Sequence, residues 1–510
     1  MKGGRVFGAV SLVVAAAALG VYVVGWGPLP DGDDDRPDIV LISIDSLRAD
    51  HLSSYGYTRK TTPTLDALAE DGLRFTRARA ASPWTLPSHL TMLTGLWPNE
   101  HQVIEDDLAL APSVPIVTEA LRDAGYATAA FVSTVYVSGG YGFARGFDTY
   151  QDYAITEREN LAHAVRVDRQ VQDAIAWVQA KGEDRPVFLF VHIYDVHYPY
   201  APPPPWDERF DPAGEPEDLR YRNYGFYQKH PLTKKRMAHQ VAQYDESLAW
   251  VDHELDTLVQ AWDNSRRPAW WIVTSDHGEE FGERGSWGHA HTLYSEALDI
   301  PLFVSGPDID PAVRDDLVGT IDIAATIAAL GGVGFDHGPG VDLRGDVPER
   351  TFYAETSRFD TARLSMEKGK HRVDIDLAKG TRALYDRAAD PAEQKPIAAP
   401  GTAAELERAL LGALGQGWTA DATGPIRSSG WLFSADGRPE KELVGPAQFG
   451  VYPVDAVVTP EGGSAVRGVL SAPTEGPLRY SGPRNAVSME LDAKTRAQLE
   501  ALGYVQEASE

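Results

Sequence analysis

The chain has 510 residues, 43% of them hydrophobic and 10% aromatic, which is enough for one large α/β domain with a sizeable core and a smaller domain. Its formal net charge of −27 argues against nucleic acid as a partner, because no basic patch is present to neutralise phosphates. The absence of cysteine excludes disulfides, thiolate nucleophiles, zinc–thiolate sites and any cofactor made by modifying a cysteine.

The first 26 residues predict a targeting segment. Lys2 and Arg5 precede an uncharged, mostly apolar stretch, Val6–Trp26, that is long enough to span a bilayer. Positive charges ahead of the span place the N-terminus in the cytoplasm and the rest of the chain outside it. We therefore expect an uncleaved anchor in the cytoplasmic membrane over residues 1–26, a linker over 27–36 and a periplasmic catalytic domain. A cleaved signal peptide, which would leave the protein secreted, is the alternative.

From Pro37 onwards apolar strands alternate with amphipathic helices, which is typical of a doubly wound, mostly parallel sheet. We expect this α/β domain over 37–350, a smaller C-terminal α+β subdomain over 351–415, and a Gly/Pro-rich, β-like extension with a terminal helix over 416–510. The candidate strands are Ile39–Ile44, Ala127–Val132, Val187–Ile193, Trp270–Thr274 and Pro301–Val304. The candidate helices are Thr64–Glu70, Ser88–Thr94, Arg166–Ala180, Gln243–Val259, Ile321–Leu330 and Asp492–Leu502.

Two of the candidate strands end in carboxylates. Asp45 closes the first strand, and Asp276 and His277 follow the apolar run that starts at Pro268. An isolated buried carboxylate is too costly to leave unpaired, so these groups are either ion-paired or metal-bound. Gly278 permits a sharp turn that lets adjacent residues reach one ion. We expect one divalent ion, with Mn, Zn or Mg suiting this donor set better than Ca. The alternative for Asp45 is a structural ion pair. The alternative for Asp276 and His277 is a helix N-cap aspartate followed by a surface histidine.

Thr85 lies where a helix begins, because Pro87 suits a first helical turn and Leu86–Leu93 can continue it. Free backbone N–H groups at a helix N-terminus favour an anion such as a substrate oxyanion or an alkoxide. An ordinary N-cap threonine is the alternative.

Histidines gather in two short segments beside strand ends. His192 and His197 flank Asp195, and His289 and His291 follow the late strand. Such groups bind an anionic ester or protonate a leaving group, although a single histidine is more often structural or exposed.

These segments, taken together and in order, resemble the sulfatase family of the alkaline-phosphatase-like superfamily. The resemblance covers most of the chain. Its segments are Pro37–Gly56, Thr62–Phe75, Ser82–Pro98, Gly125–Tyr150, Phe188–Tyr200, Thr274–Leu302, Leu384–Glu393 and Leu499–Val505.

The resemblance implies roles for these residues in this chain. Asp45, Asp276 and His277 match metal ligands, and Thr85 falls at the nucleophile position, where its hydroxyl also faces the metal. His197 matches the histidine near the leaving group, while His289 and His291 bracket the place of a substrate-binding lysine and are candidate proton donors. We assign His89, His192 and Asp195 to substrate binding.

Departures from the family pattern decide the expected chemistry. The family carries Cys-x-Pro-x-Arg, whose first residue becomes formylglycine, whereas residues 85–89 read Thr-Leu-Pro-Ser-His, and Ser46 stands where a second metal carboxylate is usual. Threonine has one hydroxyl, so water must open its covalent intermediate, which phosphoryl enzymes achieve readily with a metal. We expect a metal-dependent hydrolase of sulfuric or phosphoric esters. The alternatives are a phospho-group transferase acting on envelope lipids or glycans, and an inactive protein that binds an anionic glycan.

Overall fold

The structure is a computed structural model that describes residues 35–153, 166–181, 185–211, 230, 232–359 and 361–413. Beyond these it describes short stretches, 418–422, 425–434, 439–444, 447–452, 458–460, 463–467, 474–475 and 485–489, and the single residues 496 and 499.

The strands that precede residue 320 are, in chain order, β1 (Asp38–Ile44), β2 (Gly72–Arg79), β3 (Leu108–Leu110), β4 (Ala127–Val132), β5 (Thr149–Asp152), β6 (Val187–Ile193), β7 (Ala269–Thr274), β8 (Glu280–Phe281), β9 (Trp287–Gly288), β10 (Leu302–Ser305) and β11 (Ala312–Gly319). Eight of them form the central sheet in the order β11-β2-β10-β7-β1-β6-β4-β5. Only β10 runs against its neighbours. The expected doubly wound, mostly parallel sheet is therefore confirmed.

Helices cover both faces of this sheet. They are α1 (Pro63–Glu70), α2 (Thr85–Thr94), α3 (Pro98–His101), α4 (Val117–Asp123), α5 (Val167–Lys181), α6 (Lys234–Ser265), α7 (Ser295–Leu298), α8 (Ile323–Gly331) and α9 (Pro400–Ala413). Successive side chains of a strand point to opposite faces. In β1, Ile39 and Leu41 pack with α2, α4 and α8, whereas Val40 and Ile42 pack with α1, α5 and α6. Two buried apolar layers thus hold the central sheet rigidly in place.

The smaller C-terminal part consists of antiparallel sheets. β12 (Thr351–Thr356), β13 (Arg363–Lys368), β14 (His371–Asp376) and β15 (Thr381–Asp386) form a four-stranded sheet, on which α9 packs. A further antiparallel sheet contains β16 (Trp418–Ala422), β17 (Pro425–Ser434), β18 (Pro439–Val444), β19 (Ala447–Tyr452), β20 (Val458–Pro460), β21 (Gly463–Arg467) and β22 (Thr474–Glu475). The last described strand, β23 (Ala486–Ser488), returns to pair with β3.

One expected helix is longer in the structure, and another lies mostly outside the described residues. α6 begins at Lys234 and ends at Ser265, well outside the expected Gln243–Val259. The difference arises because the added turns are polar and lack an apolar stripe. Thr233 caps the helix by accepting a hydrogen bond from the backbone of Arg236 at 3.3 Å. The expected terminal helix, Asp492–Leu502, lies outside the described residues except at 496 and 499, which are helical.

No helix in the described ranges is both long and apolar enough to cross a bilayer. The segment expected to be a membrane anchor, residues 1–26, and most of the linker lie outside the described residues.

Candidate metal centre and active site

Two neighbouring strands bring the carboxylates of Asp45 and Asp276 together. β1 and β7 pair in parallel with Ser43 opposite Thr274, so both strands end at the same level. Polar groups that follow parallel strands meet at one edge of the sheet, where ligands usually bind. One ligand atom each from Asp45, Asp276 and His277 lies within 4.8 Å of the other two.

Asp276 has one satisfied and one unsatisfied carboxylate oxygen. Oδ1 accepts hydrogen bonds from the backbone N–H groups of Ser46 at 3.2 Å and His277 at 3.0 Å. Oδ2 is buried and has no hydrogen-bond partner among the described residues. A buried carboxylate oxygen in this state is costly unless a cation completes its surroundings. The chain's own geometry therefore fits a bound metal ion.

The Nε2 atom of His277, with its lone pair, lies beside the carboxylates of Asp45 and Asp276. Its Nδ1 lies 2.8 Å from the carbonyl oxygen of Gly278, and because a carbonyl only accepts, Nδ1 carries the proton. Nε2 lies 3.3 Å from Asp276 Oδ2 and 3.7 Å from Asp45 Oδ1. Gly278 is required here, since a Cβ at this position would lie 2.1 Å from the carbonyl oxygen of Glu296.

Thr85 is the first residue of α2, and Trp84 is the N-cap. The Thr85 hydroxyl instead faces the candidate ligands, with Oγ1 3.4 Å from both Asp45 Oδ2 and His277 Nε2. The N-cap alternative therefore does not describe this threonine. A hydroxyl at a helix N-terminus and beside a cation site can act as a nucleophile.

The pKa values of the two buried carboxylates are shifted in opposite directions. Burial and the charge of Asp45 raise the pKa of Asp276. Burial would also raise the pKa of Asp45, but the imidazoles of His192, His197 and His277 outweigh it and hold that pKa well below its usual range. Two carboxylates so close together repel each other, and a divalent cation between them would relieve that repulsion.

His89 and His192 are fully buried beside the candidate ligands. His89 donates from Nδ1 to the Thr85 carbonyl oxygen at 2.9 Å, and its Nε2 lies 2.9 Å from Ser43 Oγ. Burial lowers the pKa of His89 to about 3. Nε2 of His192 lies 3.3 Å from Asp45 Oδ2. These contacts support the start of α2 and the Asp45 carboxylate, and a role of either histidine in substrate binding stays a prediction.

Asp195 contacts the start of a helix. Its Oδ1 accepts a hydrogen bond from the backbone N–H of Val167, the first residue of α5, at 3.3 Å. Burial raises the pKa of Asp195 to about 7. Oδ1 of Asp195 thus supports the start of α5, and the assignment of this residue to substrate binding stays a prediction.

The structure separates His289 from His291, which sequence could not do. The His289 ring lies 4.3 Å from that of His277 and 4.9 Å from that of His197, measured between centroids. His291 is held away by Ser286 Oγ at 2.8 Å from Nε2 and by the His289 carbonyl oxygen at 2.7 Å from Nδ1. His289 thus lies beside His277 and His197, whereas His291 contacts Ser286.

His197 is stacked on Tyr194, with ring centroids 4.2 Å apart. Its Nδ1 lies 2.6 Å from the Tyr198 carbonyl oxygen, and its Nε2 lies 3.4 Å from the Tyr194 hydroxyl. Burial lowers the pKa of His197 to about 4. The stack fixes the plane of the imidazole beside the site.

Sequence reasoning missed two contributors, Ser46 and Glu279. Ser46 adopts a positive φ of 59° and donates from Oγ to Asp45 Oδ1 at 2.9 Å. Glu279 accepts from the Tyr200 hydroxyl at 3.1 Å and lies 3.0 Å from His289 Nδ1. The signal for Glu279 was the pair of glutamates that follows Asp-His-Gly, since the second glutamate, Glu280, likewise lies beside His291.

Comparison with known proteins finds a family match over the part of the chain that contains the candidate ligands. The sulfatase family model matches residues 37–333. Choline-sulfatase of Rhizobium meliloti is 24% identical over 426 residues, which cover 71% of this chain and 82% of that protein. The low-salt glycan biosynthesis sulfotransferase Agl7 of Haloferax volcanii is 23% identical over 345 residues, which cover 63% and 68% of the two chains.

Among solved structures, the phosphonate monoester hydrolase of Agrobacterium radiobacter superposes with a TM-score of 0.59 at 21% identity, covering 72% of this chain and 93% of that one. At this identity the superposition establishes the fold. The family model carries the assignment, because it spans more than half of the chain. The chain belongs to the sulfatase family and is a sulfatase-like ester hydrolase.

Proposed function

We propose that the protein is a metal-dependent hydrolase of sulfuric or phosphoric esters in which Thr85 is the nucleophile. One observation carries the proposal: the Thr85 hydroxyl lies 3.4 Å from both Asp45 Oδ2 and His277 Nε2, at the N-terminus of a buried helix. The matched family and the choline-sulfatase similarity support the ester chemistry.

Asp45, Asp276, His277 and the Thr85 hydroxyl would hold the ion. When bound there, a divalent ion supplies charge neutralisation for the ester oxygens and lowers the pKa of the hydroxyl. The identity of the ion among Mn, Zn, Mg and Ca belongs to the proposal, and two carboxylates with one imidazole favour a transition-metal ion.

The covalent steps use the chain's own groups. Thr85 Oγ1 releases its proton to water and bonds to the sulfur or phosphorus atom, while the bond to the leaving oxygen breaks. His197 or His289 gives a proton to that oxygen. A water molecule then bonds to the same central atom and returns a proton to that histidine, the bond to Thr85 Oγ1 breaks, and the threonine hydroxyl regains a proton from solvent.

The test uses the full-length protein with its bound metal measured directly. Thr85→Ala, assayed at saturating metal with its metal content measured, should lower kcat at least about a thousandfold, because removing a covalent nucleophile leaves only binding and electrostatics. Thr85→Ser keeps the hydroxyl and is the matched control, which should retain activity. Unchanged turnover in Thr85→Ala would remove Thr85 from the mechanism. An absence of both metal and turnover in the wild-type protein would favour the binding-protein alternative.

Leaving-group dependence separates the two candidate acids. Loss of the proton donor should slow esters of poorly acidic alcohols most and esters of nitrophenol least, because only the former leave with a proton. His197→Gln and His289→Gln are compared on both kinds of ester. A uniform loss on all esters would assign that histidine to substrate positioning.

A transferase is the second candidate, favoured by the similarity to a protein named a sulfotransferase. In that reaction an acceptor alcohol replaces water in the second covalent step. Adding an alcohol such as glycerol should then divert product to the new ester, whereas a strict hydrolase should yield only inorganic product.

We also propose that residues 1–26 anchor the protein in the cytoplasmic membrane with the catalytic domain outside, on the strength of the apolar stretch Val6–Trp26 that follows Lys2 and Arg5. The full chain should remain in the membrane fraction after alkaline extraction and be digested by protease added to spheroplasts. Release of a shortened, soluble chain would instead indicate a cleaved signal peptide.

A further inference from the structure

Ala290 has an unusual backbone conformation and lies between two histidines of the late loop, His289 and His291. Its φ of 74° falls in the left-handed region, which side chains other than those of Asn, Asp and His seldom adopt. Ala290 is also buried. A conformation of this kind persists only where the surrounding structure holds it. The contacts around Ala290 therefore determine how the chain runs between the two histidines.

Two distant segments hold Ala290 in this conformation. Its backbone N–H donates to the carbonyl oxygen of Pro83 at 2.9 Å, and its carbonyl oxygen accepts from the hydroxyl of Thr356 at 2.6 Å. Pro83 lies two residues before Thr85, and Thr356 is the last residue of β12. The turn at Ala290 is thus bonded both to the segment that leads into α2 and to the four-stranded sheet.

The Thr356 hydroxyl has a donor on one side and an acceptor on the other. Thr356 is buried, and its Oγ1 accepts a hydrogen bond from the backbone N–H of Arg358 at 3.3 Å. The hydroxyl has a single proton, and because a carbonyl oxygen only accepts, that proton points to Ala290. The direction of the hydroxyl is therefore fixed by its two partners.

The end of β12 is also bonded directly to the segment before Pro83. The backbone N–H of Glu355 donates to the Ala81 carbonyl oxygen at 3.1 Å, and Ser82 Oγ donates to the Glu355 carbonyl oxygen at 2.9 Å. Residues 355–356 therefore contact both the chain that enters α2 and the late loop.

The two histidines beside Ala290 contact different groups. The ring of His289 lies 4.3 Å from that of His277, measured between centroids. Nε2 of His291 instead lies 2.8 Å from Ser286 Oγ. His289 and Ala290 share a peptide bond, so a change in the turn would move His289 relative to His277. The place of His289 beside the candidate ligands thus depends on the turn at Ala290.

From these contacts we propose that Thr356 is a positioning residue, which acts on His289 through the turn at Ala290. The inference rests on the proposed function, in which His289 is one of two candidates for the group beside the leaving oxygen. The hydroxyl of Thr356 fixes the turn against the segment that leads to Thr85. The four-stranded sheet thereby contributes to the geometry of the site through a residue of its first strand.

The test makes one substitution in two backgrounds of the full-length, metal-loaded protein. The substrates are phenyl sulfate and phenyl phosphate, because phenol is a poorer leaving group than nitrophenol, and kcat is taken on the ester that the wild type hydrolyses faster. Thr356→Val removes the hydroxyl with little change of shape and should lower kcat at least about fivefold. In the His289→Gln background the same substitution should lower kcat less than about twofold, because the residue through which Thr356 acts is missing.

Two further variants serve as controls. Thr356→Ser keeps the hydroxyl and should retain at least about half of the wild-type kcat. Thr351, partly exposed at the start of β12, provides the matched control Thr351→Val, which should leave kcat unchanged.

A loss of about twofold or more on adding Thr356→Val to His289→Gln would show that Thr356 supports the fold alone, and would overturn the inference. A loss below about fivefold in the wild-type background, or a His289→Gln protein as active as the wild type, would also overturn it. These three results leave Thr85 as the proposed nucleophile. If the wild type hydrolyses neither ester, the proposed function and the inference fail together.

Ala290→Gly provides a second measurement should Thr356→Val fail to fold. Glycine adopts the left-handed conformation without strain, so this variant should fold and keep its Tm. Glycine also populates other backbone regions, so His289 should be held less firmly and kcat should fall at least about threefold in the wild-type background. An unchanged kcat would show that the turn does not set the place of His289, and would overturn the inference.

Discussion

At the scale of single residues, Ser46 contacts both candidate carboxylates, Asp45 and Asp276. It is buried in a left-handed conformation, with φ of 59°, that few side chains adopt without a reason. Its N–H donates to Asp276, its hydroxyl donates to Asp45, and its carbonyl oxygen accepts from the Tyr244 hydroxyl at 2.9 Å. One small residue thus orients both carboxylates without adding a charge.

Replacing Ser46 by aspartate should change which ion the protein prefers. Asp tolerates the left-handed conformation, so Ser46→Asp is expected to fold. A third carboxylate favours the all-oxygen surroundings that Ca²⁺ prefers and raises repulsion in the metal-free protein. We expect a lower Tm in EDTA and a larger Tm increase with CaCl2 than in the wild type. Ser46→Asn, which has the same shape and no charge, is the control, and equal calcium responses in the two variants would contradict the prediction.

At the scale of elements, the free backbone N–H groups at the start of helix α1 are hydrogen-bonded by a side chain of the distant helix α6. The backbone N–H groups of Thr64 and Leu65, in the first turn of α1, donate to Asp252 of α6 at 3.0 and 2.9 Å. The N-cap of α1, Thr62, makes no side-chain cap bond. The start of α1 is therefore stabilised by tertiary packing, which couples it to the long helix α6.

The Asp252 contact should make stability depend on pH. Burial raises its pKa from 3.8 to about 6, so the folded state binds a proton more tightly than the unfolded state. This contribution is fully present below about pH 4 and is lost as the pH rises through about 6. Asparagine cannot ionise. The free energy of unfolding of Asp252→Asn should thus improve relative to wild type between pH 4 and pH 7, by at most about 3 kcal/mol.

Urea unfolding at several pH values measures this difference. Asp263→Asn, on an exposed position of the same helix, is the matched control. A constant offset between Asp252→Asn and the wild type across this pH range would show that Asp252 does not control the pH dependence.

At the scale of the whole molecule, a buried ionic network joins the central sheet to the four-stranded sheet. Glu367 of β13 accepts from Arg79 of β2 at 2.9 Å and lies 3.3 Å from Arg387. Arg387 continues to Asp299, at the end of α7, at 2.5 Å. Burial would raise the pKa of Glu367, but Arg79 and Arg387 lower it to about 2. The two sheets are thus joined by buried ion pairs, in which each charge is compensated by a partner from another element.

Removing Glu367 should loosen this junction. Glu367→Ala removes the carboxylate that Arg79 and Arg387 share and leaves Asp299 as their common partner. Breaking a buried pair costs about 3–5 kcal/mol, which is the upper bound for this loss. Urea unfolding should show this loss. The neighbouring Lys368 points to the surface, where it pairs with Glu405 at 2.7 Å. Lys368→Ala is therefore the control and should change stability little. Equal effects of the two variants would contradict a structural role for the network.

The strand-end pattern predicted the sheet and the closeness of the candidate metal ligands for a simple reason. Asp45 and Asp276 each follow an apolar run, and the carboxyl ends of parallel strands meet at one edge of a sheet. Periodicity and strand-end chemistry are local properties, so they can be read from the chain. The start of α6 was missed because its first turns are polar, and a polar helix leaves no periodic signal.

By itself the sequence determined the sheet class, the candidate ligands Asp45, Asp276 and His277, and a threonine in place of a residue convertible to formylglycine. Only the tertiary structure decided which side chains share the site. It placed His289 beside His277, turned His291 to Ser286 and set Asp195 at the start of α5. The physical reason is that side-chain direction in loops depends on packing between elements distant in the chain, and no local pattern records that packing.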